Sequence, residues 1–183
     1  MTEDRKIEYD CAYMKMAMSM GELSYATRSK VGAIVLSKNG QIISQGFNGT
    51  PAGQDNCCED VQCNCDIECK QKSVKYCKSC PHCTLVTKKS VLHAESNAIT
   101  KCAKWYNTTD GGTIYVTLSP CFECAKLIIQ SGIKRVVFLD IYRNTDGLDY
   151  LVNAGILVEQ LNIDKKELKK WEIKWNDKIR GVY

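Results

Sequence analysis

Thr113 to Leu139 reads TIYVTLSPCFECAKLIIQSGIKRVVFL, and this stretch decides the fold. Thr113-Ile114-Tyr115-Val116-Thr117-Leu118 is an apolar, β-branched run of strand length. Cys121 to Ser131 reads as a helix, closed by Gly132 at the position where glycine commonly ends one. Arg135-Val136-Val137-Phe138-Leu139 is a second strand. Upstream, Asp110-Gly111-Gly112 is a turn and Leu92 to Trp105 a helix. Downstream, Gly147 to Ala154 is a helix and Ile156 to Leu161 a further strand. Nearer the N-terminus, Val31 to Leu36 and Gln41 to Phe47 flank Lys38-Asn39-Gly40, and Asn-Gly between two such runs signals a hairpin. Ile7 to Ser24 carries Ile7, Cys11, Met14 and Met18 at helical spacing, which reads as an amphipathic helix with its methionines in the core. The order predicts an α/β chain with a mixed sheet flanked by helices. No internal repeat interrupts it.

At 183 residues the chain is long enough for one domain with a real core. Its 44% hydrophobic and 25% charged content is that of a globular protein. The formal charge of +4 is mild: it suits an anionic small substrate, an RNA or a scattered surface excess alike. The N-terminus begins acidic and polar, without the apolar run of a signal peptide. No stretch approaches a membrane-spanning length. With no such signal, the 12 cysteines are expected to be reduced and available to metal, in the cytoplasm or, for a viral protein, the host cytoplasm.

Two motifs carry chemistry. His93-Ala94-Glu95 lies at the start of one helix, and Pro120-Cys121-Phe122-Glu123-Cys124 at the start of another. Cys-x-x-Cys at a helix N-terminus places two thiolates side by side where the dipole favours anions. His93, Cys121 and Cys124 make three ligands, the number a catalytic zinc takes while keeping a position for water. Glu95 sits beside them without having to ligate, the position for a carboxylate that carries protons. A lone Cys-x-x-Cys would fit structural zinc or redox chemistry equally; the paired motifs and their context favour catalysis.

This pairing is the general signature of zinc deaminases, and the flanking residues resemble the deoxycytidylate (dCMP) deaminase family within the cytidine deaminase superfamily. Leu92-His93-Ala94-Glu95-Ser96-Asn97-Ala98-Ile99 resembles one family motif, and Tyr115 to Cys121 with Cys124 to Lys134 its second. Ser29-Lys30-Val31-Gly32-Ala33 and Gly46-Phe47-Asn48-Gly49-Thr50-Pro51-Ala52-Gly53 are similar to its first hairpin. The resemblance covers roughly residues 8–57 and 91–161. It implies a three-layer α/β/α cytidine deaminase-like fold with a mixed five-stranded sheet, and hydrolysis of dCMP to dUMP and ammonia, supplying thymidylate synthesis. It puts Asn48 on the sugar hydroxyl, unless that residue simply caps its turn. The backbone at Ala94 and Ser119 would face the pyrimidine. Arg28, Tyr142 and Arg143 are candidates for the phosphate, which needs cationic or hydroxyl donors. The resemblance further implies a homo-oligomer, hexamer or dimer, activated by dCTP and inhibited by dTTP with Mg2+. The family's effector segment is Gly-Tyr-Asn-Gly; here it is Gly46-Phe47-Asn48-Gly49, without the phenol hydroxyl. Rival readings are a deaminase of dCTP, another cytosine nucleotide or tRNA adenosine, and a nucleic-acid-binding zinc module without turnover. Retention of Glu95 and all three ligands disfavours the last, and nucleic acid is not the expected partner.

Residues 55–89 depart from the compact members of that family. Cys57, Cys58, Cys63, Cys65, Cys69, Cys77, Cys80, His82 and Cys83 crowd a stretch with few large aliphatics, which needs a source of order other than a core. Cys77-x-x-Cys80-x-x-Cys83 and Cys63-x-Cys65-x-x-x-Cys69 have ligand spacing, so at least one structural zinc is expected, drawn from Cys57, Cys63, Cys65, Cys69, Cys77, Cys80, His82 and Cys83. Free thiols and disulfides are the alternatives, and spacing does not say which residues share a site. A charged segment at about 162–183, with Trp171 and Trp175 on one helical face, completes a single domain of residues 1–183.

Overall fold

The computed structural model describes residues 2–63 and 83–163. Cys65, Cys69, Cys77, Cys80, His82 and the Trp171–Trp175 segment lie outside the described residues. The elements run α1 (Glu3–Glu22), β1 (Gly32–Leu36), β2 (Ile42–Phe47), β3 (Glu59–Cys63), β4 (Cys83–Thr87), α2 (Ala94–Lys104), β5 (Thr113–Leu118), α3 (Phe122–Gln130), β6 (Arg135–Asp140), α4 (Asp146–Asn153) and β7 (Leu157–Gln160).

The main sheet has five strands in the order β2-β1-β5-β6-β7. β1 pairs antiparallel with β2 and β5, whereas β5–β6 and β6–β7 are parallel. The expected mixed five-stranded sheet is present. The Asn39-Gly40 turn closes β1–β2, with Gly40 at φ 80°, in the left-handed region that glycine enters freely.

Strand alternation sorts the core into two layers. Ala33, Val35, Ile114, Val116, Val136 and Phe138 face one side, where they meet Ala98 of α2, Ile128 of α3 and Leu151 of α4. Ile34, Leu36, Tyr115, Val137 and Leu139 face the other, against Met14 and Ala17 of α1. The central strands are buried on both faces, which is why they read as continuous apolar runs rather than alternating ones.

The α1 side also buries a charge network. Arg135 donates to both carboxylate oxygens of Asp10, at 2.9 and 2.6 Å, and to Glu159 at 2.5 Å. Tyr115 donates its hydroxyl to Asp10 at 2.6 Å, and Lys6 reaches Glu159 at 2.7 Å. The network ties α1 to the first residue of β6 and to β7.

Two differences from the sequence reading go beyond a shift of a residue or two at an element's ends. α1 starts at Glu3 rather than Ile7, its first turn carrying Glu3 and Asp4 where the helix dipole favours acids. More consequentially, the Cys-rich stretch contains a two-stranded antiparallel ladder, Glu59↔Thr87 to Cys63↔Cys83, that apolar patterning did not announce. Cys58 packs with Ala26 and Val91 in a small buried cluster at its base.

Candidate active site

The backbone brings two helix N-termini together. His93 is the N-cap of α2 (φ −72°, ψ 158°) and Cys121 the N-cap of α3 (φ −72°, ψ 168°). His93 Nδ1 lies 3.4 Å from Cys121 Sγ and 3.4 Å from Cys124 Sγ. All three donor atoms fall within 4.8 Å of one another, the group among the described residues placed to share a metal ion. A tetrahedral zinc with bonds of about 2.3 Å to sulfur and about 2.0 Å to nitrogen requires an S–N edge of about 3.5 Å. The donor set fits zinc in chemistry and in spacing.

Hydrogen bonds from the Cys124 thiol and the His93 ring hold Cys121 down at about 3, so that thiol is readily an anion. Cys124 is driven the other way, first by its bond to Cys121 and then by burial. Binding a metal through both sulfurs requires both as thiolates. His93 is raised, chiefly by its bond to Cys121. Glu95 is 3% exposed, and burial pushes its carboxyl up.

A cavity of about 160 Å³ opens on this group. His93, Ala94, Glu95, Leu118, Ser119 and Cys121 line it, together with Arg28, Asn48 and Tyr142. Arg143 is absent from the lining and lies with its guanidinium 5.6 Å from the Tyr142 ring centroid. Ser119 Oγ accepts the Tyr142 backbone N–H at 2.7 Å, which ties the loop after β6 to the end of β5. Both ends of the Asn48 amide are engaged: Oδ1 accepts Val31 N–H and Nδ2 donates to Ser29 carbonyl, each at 2.8 Å. Asn48 thus closes the loop before β1 rather than capping its own turn, and among the described residues no further side-chain bond of its amide is seen, which leaves one N–H and one lone pair.

Sequence reasoning missed Glu59 and Thr87, which line the same cavity from β3 and β4. No local signal marked them, because each reaches the site only through the long-range ladder. Cys57 and Cys83 belong to no described ligand group; Cys57 Sγ donates to Glu59 carbonyl at 3.3 Å.

Residues 7–140 match the family model described as the cytidine and deoxycytidylate deaminase zinc-binding region. The chain belongs to this family. Among its relatives, the deoxycytidylate deaminase of Enterobacteria phage T4 is 37% identical over 182 residues, spanning 87% of this chain and 93% of that protein. The Homo sapiens deoxycytidylate deaminase is 36% identical over 146 residues, covering 78% of this chain and 71% of its own. The crystal structure of the dCMP deaminase from cyanophage S-TIM5 in complex with dCMP and dUMP superposes with a TM-score of 0.67. That chain is 38% identical, and the match covers 87% of this chain and 98% of it. The expected cytidine deaminase-type fold is therefore the one observed.

Proposed function

We propose that this chain hydrolyses dCMP to dUMP and ammonia with a zinc ion held by His93, Cys121 and Cys124. One observation carries the reading: His93 and Cys121 of the three-donor group, the buried Glu95 and Arg28 all line one small cavity. The T4 and S-TIM5 relatives support dCMP as the nucleotide. Bound zinc supplies an activated water as the nucleophile for C4 of the cytosine. Glu95 takes up the proton that the water releases and delivers it to the departing 4-amino nitrogen; burial keeps its carboxyl able to hold that proton. Ala94 and Ser119 flank the ring, Asn48 offers its spare amide N–H to the sugar, and Arg28 with Tyr142 takes the phosphate. Arg143, outside the cavity, assists through Tyr142.

Ammonia release from dCMP by the zinc-loaded protein tests the proposal, with dCTP, cytidine and a tRNA substrate run beside it. Turnover of dCMP that Glu95→Ala abolishes is expected. No release from dCMP, or equal release by Glu95→Ala, would defeat it.

Regulation by dCTP as activator and by dTTP with Mg2+ as inhibitor is a second part of the proposal. A cavity of about 250 Å³ supports it, lined by Phe47, Gly49, Leu92, Asn97 and Lys101. Asn48 faces the first cavity and its neighbours Phe47 and Gly49 face this one, so a ligand here would press on the end of β2. Gly46 completes the effector segment. An effector titration of Phe47→Ala that still matched the unsubstituted protein would remove it. Exposed Phe122 and Tyr150, with ring centroids 4.7 Å apart on α3 and α4, support a homo-oligomer. The Cys-rich insertion of the single deaminase domain completes the reading as a structural zinc site, and two or three zinc ions per chain, rather than one, is the expected count.

A further inference from the structure

The base of the Cys-rich insertion grips the loop that carries Arg28. Glu59 Oε1 accepts the backbone N–H groups of Thr27 and Arg28, at 2.9 and 3.2 Å. Thr87 Oγ1 accepts the Arg28 guanidinium at 3.0 Å. Glu59 and Thr87 are direct partners across the β3–β4 ladder, and both line the active-site cavity. Cys58, 1% exposed, packs on Ala26 and Val91, so an apolar contact pins the same loop to the same hairpin. One oxygen of the carboxylate takes both main-chain donors, while the guanidinium bonds to a neutral hydroxyl. Among the described residues Arg28 makes no ion pair and keeps its charge for an incoming anion.

We infer that Glu59 and Thr87 are positioning residues: the insertion's hairpin sets the Arg28 backbone and aims its guanidinium at the substrate's phosphate. The inference rests on the phosphate role proposed for Arg28 and adds what holds that residue in place. A bidentate cation–phosphate contact depends on geometry, so an unanchored Arg28 retains its charge and loses affinity. The hairpin at the base of the insertion is on this view part of the substrate site.

Steady-state kinetics on dCMP with the full-length, zinc-loaded protein test it, with Tm and zinc content confirming the fold of each variant. Loss of a charged hydrogen bond corresponds to a change of roughly 10- to 100-fold, so Arg28→Ala should raise KM within that range. Glu59→Ala should raise KM about tenfold and Thr87→Val about threefold, with kcat within about twofold, since neither touches the reacting atoms. Glu59→Gln, whose carbonyl still accepts the two N–H groups, and Thr87→Ser should restore KM. On an Arg28→Ala background, Glu59→Ala should add almost nothing, because the two act as one unit. A raised KM in Arg28→Ala with unchanged KM in Glu59→Ala and Thr87→Val overturns this inference alone. So does full additivity of Glu59→Ala with Arg28→Ala. An unchanged KM in Arg28→Ala overturns the phosphate role, and the inference with it.

Discussion

Replacing Gly46 with alanine tests whether the tight seat of α2 on β2 positions the catalytic group. Gly46 pairs with Ala33 inside the β1–β2 ladder, and the first turn of α2 lies directly over it. A methyl group there would sit 2.4 Å from the Ala94 carbonyl oxygen and 2.7 Å from the Ala98 nitrogen. The first gap is about 1 Å short of the 3.4 Å at which ordinary contact begins. Both obstacles are backbone atoms, so no side-chain rotation relieves them. α2 cannot tilt freely either, since Ser44 Oγ donates to the Ala98 carbonyl at 2.7 Å and Asn97 Nδ2 to the Phe47 carbonyl at 2.8 Å. The first turn must lift, and Ala94 lies between His93 and Glu95, so both move.

A misplacement of about 1 Å in a catalytic constellation costs on the order of 100-fold. Overpacking of this kind costs about 1–3 kcal/mol of stability. Gly46→Ala is therefore expected to lose about 100-fold in kcat/KM for dCMP while far-UV circular dichroism stays unchanged and Tm falls by a few degrees. The assay is steady-state ammonia release at matched zinc content. Retention of more than a third of the activity, with an unchanged Tm, would refute the packing argument. Normal basal turnover with loss only of the dCTP response would instead make Gly46 a residue of the effector segment.

Four further outcomes follow from particular contacts. Asp10→Ala removes the bidentate partner of Arg135, which keeps Glu159, and should destabilise the fold by about 1.5–3 kcal/mol in urea unfolding. Asp10 and Glu159 both have lowered carboxyl pKa values; burial opposes the shift, and the bonds to Arg135 for Asp10, and to Lys6 and Arg135 for Glu159, outweigh it. Their stabilisation is therefore complete above about pH 4, the unfolded carboxylate range, and fades as pH falls through the lower folded values. Unfolding free energy measured from pH 7 downward should drop over that acid window, and less steeply in Asp10→Ala. Asn48→Ala removes both bonds that close the 29–31 loop and should lower stability by about 1–3 kcal/mol while raising KM; a shifted KM with unchanged Tm would mean the residue acts on substrate alone. Chelation should abolish turnover and added Zn2+ restore it, with protons released on zinc binding because the ligating thiols and imidazole must be deprotonated.

Legibility in the sequence followed the range of the interactions. Residues 113–118 and 135–139 were readable because strands buried on both faces need unbroken apolar runs, and Asn39-Gly40 because a tight turn needs a residue at positive φ. The metal group was readable for the same local reason. Cys121 and Cys124 lie three apart on one helix start and Glu95 two beyond His93, so chain spacing already encodes most of their geometry. The β3–β4 ladder was not readable. Its strands, EDVQC and CTLVT, are short and half polar, and they pair over a wide separation in sequence. Asp10, inside a helix, and Arg135, at the start of a strand, likewise read as ordinary charges, until topology laid α1 across the start of β6. Glu59 is the sharpest case. Beside Cys57 and Cys58 it looks like solvated charge in a metal-binding stretch, yet its carboxylate faces the backbone of Thr27 and Arg28. What a charge does here is decided by its partner across the fold, so the motifs located the chemistry, and only the register of the hairpin located the residues that hold Arg28 beside it.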